Sequence, residues 1–191
     1  MKVKKGDVRR QQLLDHLVNH ILVHGLQGAS LRPLAAAVGT SDRMLLHYFA
    51  NKEALLTAIL TLITQRLITL LDNARAEPLP FSRLVPQLSL LLKDAQVQPY
   101  LHLWLELVTL AARNKEPFGT IAQDISNTFL CWIAAALQVD REEERGPLAA
   151  LTLVLIEGLV LFDALGDDTK HTDALAGLAL GVAAWQAQAM V

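Results

Sequence analysis

The chain has 191 residues, 52% of them apolar, which is enough for one large core or two small ones and leaves little room for extended disorder. Its single cysteine, Cys131, cannot form an internal disulfide and suits a reducing compartment. The net charge of −2 is unevenly laid out. Residues 1–52 carry eight Lys and Arg against three Asp, a balance of +5, and the remainder carries −7. A polyanion would therefore meet the head and not the body.

Every periodicity along the chain is helical, and no run alternates in the manner of a strand. The first helix is predicted over residues 7–24, with Leu14, Leu17, Val18, Ile21 and Leu22 on one face and Gly25 as its C′ residue. Ser30 is the expected N-cap of a second helix, where Pro33 is tolerated because first-turn amides have no intrahelical acceptor to lose. That helix ends near Val38, and Gly39 gives the backbone the freedom for a sharp turn. A third helix follows Ser41, another N-cap candidate, and ends near Phe49.

Asn51 caps a fourth helix, predicted over 51–75 and closed by Pro78 and Pro80; its length suits a connector between two bodies. Five more are predicted near residues 81–95, 99–114, 117–139, 146–165 and 172–190, separated by Pro, Gly or charged residues. The acidic runs at Glu142–Glu144 and Asp167–Asp168 are expected in solvated loops.

Mean hydropathy is +0.32, so a membrane span has to be weighed. Residues 147–165 are interrupted by Glu157 and Asp163, and residues 174–191 contain Gly177, Gly181, Gln186 and Gln188. Neither run meets the roughly 18 consecutive apolar residues of a span, and no signal peptide follows the basic N-terminus. The expectation is a cytoplasmic protein without a membrane partner, whose last helices are covered by the fold or by a second chain.

Two short helices joined by a Gly-containing turn make a helix-turn-helix unit. Leu34, Val38, Leu45 and Phe49 fall on inward faces, and Ala35, Ala36 and Ala37 are small enough for close crossing. On the third helix Asp42, Arg43, Met44, His47 and Tyr48 are left pointing wholly or partly outward. A helix offered to the major groove needs this division between an apolar back and a polar front. Base contacts are expected from Arg43, Met44 and His47. Contacts to the DNA backbone are expected from Thr40, Ser41, Tyr48 and Lys52, with Arg32 completing the set of DNA-binding candidates. The competing interpretation is a helical dimeric interaction or adaptor module without DNA.

The stretch GTSDRMLLHYFANKEALL, residues 39–56, resembles the signature of TetR-type transcriptional regulators, and RRQQLLDHLVNHILVHGLQGASLRPLAAAVG resembles the first two helices of that family. The specific likeness covers residues 8–60; beyond it only length and helical pattern agree. It departs from the family at Leu46, where a DNA-touching Tyr is common, and this shifts the burden to His47 and Tyr48. The resemblance implies an all-α homodimer. An N-terminal three-helix DNA-binding domain, residues 1–52, would bind double-stranded operator DNA. Residues 53–191 would form an antiparallel helical domain for effector binding and dimerisation. It implies a regulator, in family habit a repressor, released when an apolar small-molecule effector tilts the fourth helix. No enzymatic activity and no cofactor is called for.

Within the body, His102, Trp104, Glu106, Phe129 and Trp132 have the aromatic and polar mixture of a ligand pocket. Leu155, Gly158, Phe162, Gly177, Gly181 and Trp185, in the last two helices, are candidates for the dimer interface; close packing within one subunit is the alternative use of those glycines. His16, His20 and His24 recur at four-residue spacing, but one helix cannot complete a metal site and a polar face is the simpler explanation.

Overall fold

The computed structural model describes the backbone of residues 5–27, 29–74, 77–166 and 168–189 and, apart from Lys5, Asp168 and residues 184–189, their side chains. The described residues form an all-α fold: α1 (Lys5–His24), α2 (Leu31–Ala37), α3 (Asp42–Tyr48), α4 (Lys52–Asn73), α5 (Phe81–Leu91), α6 (Gln98–Ala112), α7 (Phe118–Ala136), α8 (Glu142–Ala164) and α9 (Asp168–Ala189). A single parallel bridge joins β1 (Leu79–Pro80) to β2 (Leu137–Gln138), pairing Leu79 with Leu137 and Pro80 with Gln138. Two residues are too few to alternate, so no period marked it in the sequence.

By contacts the chain divides into two compact units, Met1–Leu70 with Pro99–Ile125, and Leu71–Gln98 with Ser126–Val191. In the first, α1 buries Leu13, Leu14, Leu17, Val18 and Ile21, the 3–4 spacing of a helix with one apolar stripe. Leu34 and Ala35 of α2, Leu45 of α3, Phe49, and Leu55, Leu56, Ile59 and Leu60 of α4 complete this core, with Leu101, Leu103 and Leu107 of α6 also buried. Of the three alanines expected at the helix crossing only Ala35 is buried; Ala36 and Ala37 face solvent, because adjacent helical positions are turned about 100° apart. Arg66 of α4 donates to Asp15 at 2.7 Å and to Asn19 at 2.8 Å, fastening α4 to α1.

In the second unit Phe81, Leu84, Val85 and Leu88 of α5 cluster with Ile133, Ala136, Leu137 and Ala149. Arg145 closes the end of α7, donating to the carbonyls of Ala134 and Leu137 at 2.7 Å each. The expectation of a loop at Glu142–Glu144 is corrected: these residues are the first turn of α8, where three carboxylates favour the positive end of the helix dipole. The backbone of Asp168 begins α9, and Asp167 lies outside the described residues. The predicted helix at 81–95 stops at Leu91, where Asp94 accepts a bond from the Gln96 amide at 2.7 Å and turns the chain instead.

Among the described residues two helices, α4 and α8, are long and apolar enough to cross a bilayer by length and composition. In α4 the apolar face is a core face, and Arg66 stands in its middle paired to Asp15.

Candidate nucleic-acid interface

Four local devices build the helix-turn-helix unit. Gly25 ends α1 with φ +72°, its amide donating to Ile21 at 2.8 Å. Gly39, with φ +63°, ends α2. Around it Thr40 N–H donates to Ala35 O at 2.9 Å and Gly39 N–H to Ala36 O at 3.1 Å, the paired bonds of a Schellman close. A left-handed residue is needed at both glycines, which any side chain would strain. The Ser41 hydroxyl oxygen then accepts from Met44 N–H at 3.3 Å and starts α3, and the Asn51 carboxamide accepts from Ala54 N–H at 2.8 Å and starts α4. Ser30 occupies the N-cap position of α2 in extended conformation, but its side chain makes no capping bond.

On α3 Leu45 is fully buried while Arg43, Met44 and His47 are exposed, so one side chain anchors the helix and its neighbours are free to touch a ligand. Leu46 is exposed at 40%, on the same outward side. Tyr48 is half-buried, with its ring edge-on to His47 at a centroid distance of 5.2 Å. Ser41 uses one acceptor site of its hydroxyl on its cap, which leaves the hydroxyl hydrogen able to donate. Arg32 and Lys52 are exposed and Thr40 half-buried. Exposed Arg9, Arg32, Arg43 and Lys52 give this head its described surface cations.

One member of the head has no sequence signature. The Arg10 guanidinium stacks 4.7 Å above the Phe49 ring, clamping the start of α1 over the end of α3. The histidine stripe on α1 is tied up locally. His16 Nδ1 meets Gln12 O at 2.7 Å, His24 Nδ1 meets His20 O at 3.0 Å, and the His20 and His24 rings stack at 4.2 Å. Burial, and then the charge of His24, holds the His20 imidazole below its ordinary pKa of 6.5. Among the described residues no three metal-ligating side chains converge.

The residues considered for an effector fall into different units. His102, exposed, and Trp104, half-buried, stand on α6 in the first. Glu106, also on α6, turns its carboxylate onto the Leu26 amide at 2.7 Å. Phe129 and Trp132, both half-buried on α7, are in the second, where the Trp132 indole donates to Asp72 at 2.8 Å. Of the candidates for a dimer face, Leu155 and Phe162 are half-buried, and Leu155 packs against the second unit's core. A Cβ added at Gly158, Gly177 or Gly181 would meet nothing within 4 Å. The Trp185 side chain lies outside the described residues.

Residues 13–59 match the family model for bacterial regulatory proteins of the tetR family. The HTH-type transcriptional regulator BetI of Cronobacter sakazakii (strain ATCC BAA-894) is 29% identical over 170 residues, covering 86% of this chain and 83% of that one. BetI of Burkholderia mallei (strain NCTC 10229) is 28% identical over 185 residues, 93% of each chain. Among solved structures, a transcriptional regulator from Rhodococcus sp. Rha1 superposes with a TM-score of 0.64 at 25% identity, over 87% of this chain and 91% of that one. A TetR-family regulator from Cytophaga hutchinsonii gives 0.65 at 18% identity, over 93% and 98%.

Proposed function

We propose that this chain, which is similar to DNA-binding transcriptional regulators of the TetR family, works as a cytoplasmic homodimeric repressor, released from its operator by a small-molecule effector. The observation that carries the reading is α3 itself. Leu45 is buried at 0% exposure, and Arg43, Met44 and His47 stand outward on a head of charge +5. That arrangement suits a helix entering the major groove with its N-terminal half against base edges. Arg43, with a fork of donors, reads guanine; Met44 offers apolar contact to a thymine methyl; His47 reaches an adjacent edge. Arg32, Thr40, Ser41, Tyr48 and Lys52 hold phosphates and fix the register. The head spans residues 1–52, and the remainder serves pairing and effector binding.

One such helix buries little surface, so a second copy is needed, with the two recognition helices about 34–36 Å apart for successive major-groove faces. Apolar Val154, Leu161 and Leu165 of α8 and Leu180 of α9 are exposed, at 67%, 49%, 68% and 75%. Gly158, Gly177 and Gly181 have open space where a Cβ would stand. A second copy packed on α8 and α9 would use both features. An effector lifts repression only by binding the non-DNA state more tightly than the DNA-bound one. His102, Trp104, Phe129 and Trp132 are the side chains to test for contact with it.

Selection of bound duplexes from a random pool tests the whole reading. A palindromic consensus whose half-sites are one helical turn apart is expected. A stable dimer that retains no duplex even at low salt would instead make the protein a helical interaction module.

A further inference from the structure

We infer that Glu106 is a positioning residue for operator reading: its carboxylate on α6 latches the α1–α2 turn and so sets the direction of α2 and, through it, of the recognition helix. This rests on the operator-binding reading above and adds a control point to it. Glu106 Oε2 accepts from the Leu26 amide at 2.7 Å, across 80 residues of sequence and in partly buried surroundings. A charged acceptor in such surroundings makes one of the stronger hydrogen bonds available to a backbone N–H. The second observation is steric. A Cβ at Gly25 would stand 2.7 Å from Glu106 Oε2 and 2.9 Å from Cδ, so the carboxylate rests in the space that the glycine leaves open. Gly25 therefore has two reasons to lack a side chain, its φ of +72° and the carboxylate beside it.

The turn held in this way is short and consequential. Leu26 and Ala29 within it are buried at 5% and 8% exposure, and α2 begins at Leu31. α2 runs into α3 through the Schellman close at Gly39, so the direction of α2 is handed to the recognition helix. α6, which lies far along the chain from the head, thus touches the head at the point where α2 is aimed. Arg66 donates to Asp15 and Asn19, so α1 is already held to α4, and the hold on the turn is what Glu106 adds to that brace among the described contacts. The bond is either made or broken, and a displacement of α6 breaks it without removing any DNA contact.

The test uses the full-length protein and a duplex enriched by it from a random pool. Glu106→Ala is expected to weaken binding about tenfold, with the salt slope unchanged because no phosphate contact is lost, and Glu106→Gln, which keeps an acceptor at the same reach, by less. Gly25→Ala should weaken binding as well, and adding Glu106→Ala to it should cost little more, since both remove one latch. Amide exchange at Leu26 should quicken about tenfold in Glu106→Ala while the core amides of Leu17 and Leu56 keep their protection. Affinity within twofold of the parent, or a Leu26 amide no less protected, overturns the latch, as does loss of protection spread evenly through the unit. If the parent protein enriches no duplex, the operator reading falls and takes the affinity claim with it. The exchange measurement needs no DNA, so it separately supports or overturns the bond's hold on the turn.

Discussion

Arg43 and Lys52 both present a cation to solvent, but they stand on different helices and are expected to fail differently. If Arg43 is the bidentate base reader proposed above, Arg43→Ala should cost about 1–3 kcal/mol on the preferred duplex and relax preference at one base pair, as competition between duplex variants would reveal. If Lys52 is the phosphate partner proposed above, Lys52→Ala should weaken all sequences alike and reduce the salt slope by about one. An unchanged slope would remove Lys52 from the interface. His20 gives a pH dependence. Because its folded pKa lies below 6.5, the unfolded chain takes up the proton first. Stability is therefore full above that value and declines as pH falls from it through the folded value. Urea unfolding at about pH 7.5 and about pH 5.5 should show a smaller pH-dependent loss for His20→Asn than for the parent chain.

Helices are where sequence and structure can be compared cap by cap. Asn51 and Ser41 are read from the sequence as caps and make capping bonds; Ser30 is read the same way and takes the backbone geometry without the bond. Asn51→Ala should therefore destabilise the protein by about 1 kcal/mol, while Ser30→Ala should cost less, a contrast that thermal melts of the two variants will show. An equal loss would mean that Ser30 caps in solution. The existence and order of the helices follow from 3–4 apolar spacing, which the chain carries at every turn. Their ends do not follow as well. Residues 142–144 are charged and look like loop, yet acidic side chains are the ones that favour a helix start. At the other extreme, the apolar residues beyond Leu91 read as more helix, but Asp94 turns the chain there.

For the whole molecule the decisive question is what covers α8 and α9. Leu161→Glu together with Leu180→Glu places charges on two side chains that are exposed in the single chain, so the subunit fold should persist. If those helices pair two copies, the double variant should sediment as a monomer and lose operator binding by more than tenfold, since each half-site then binds alone. A dimer that survives both charges would move the interface elsewhere. The glycines point the same way. Sequence alone left open whether Gly177 and Gly181 admit a neighbouring helix within the subunit, and nothing described in the subunit approaches them.

The sequence by itself determined that this chain is helical, that its first 52 residues carry a net charge of +5, and which side of α3 is largely exposed. These are consequences of near-neighbour spacing, capping and charge, all of which are local and survive in a linear string. Only the tertiary structure decided which groups meet across long separations. Examples are the Arg10 clamp on Phe49, Arg66 bridging to Asp15 and Asn19, and the Glu106 carboxylate on the Leu26 amide. Such pairs have no period and no motif; they exist because burial of the apolar faces brings distant helices to the distance at which a hydrogen bond or a ring contact can form.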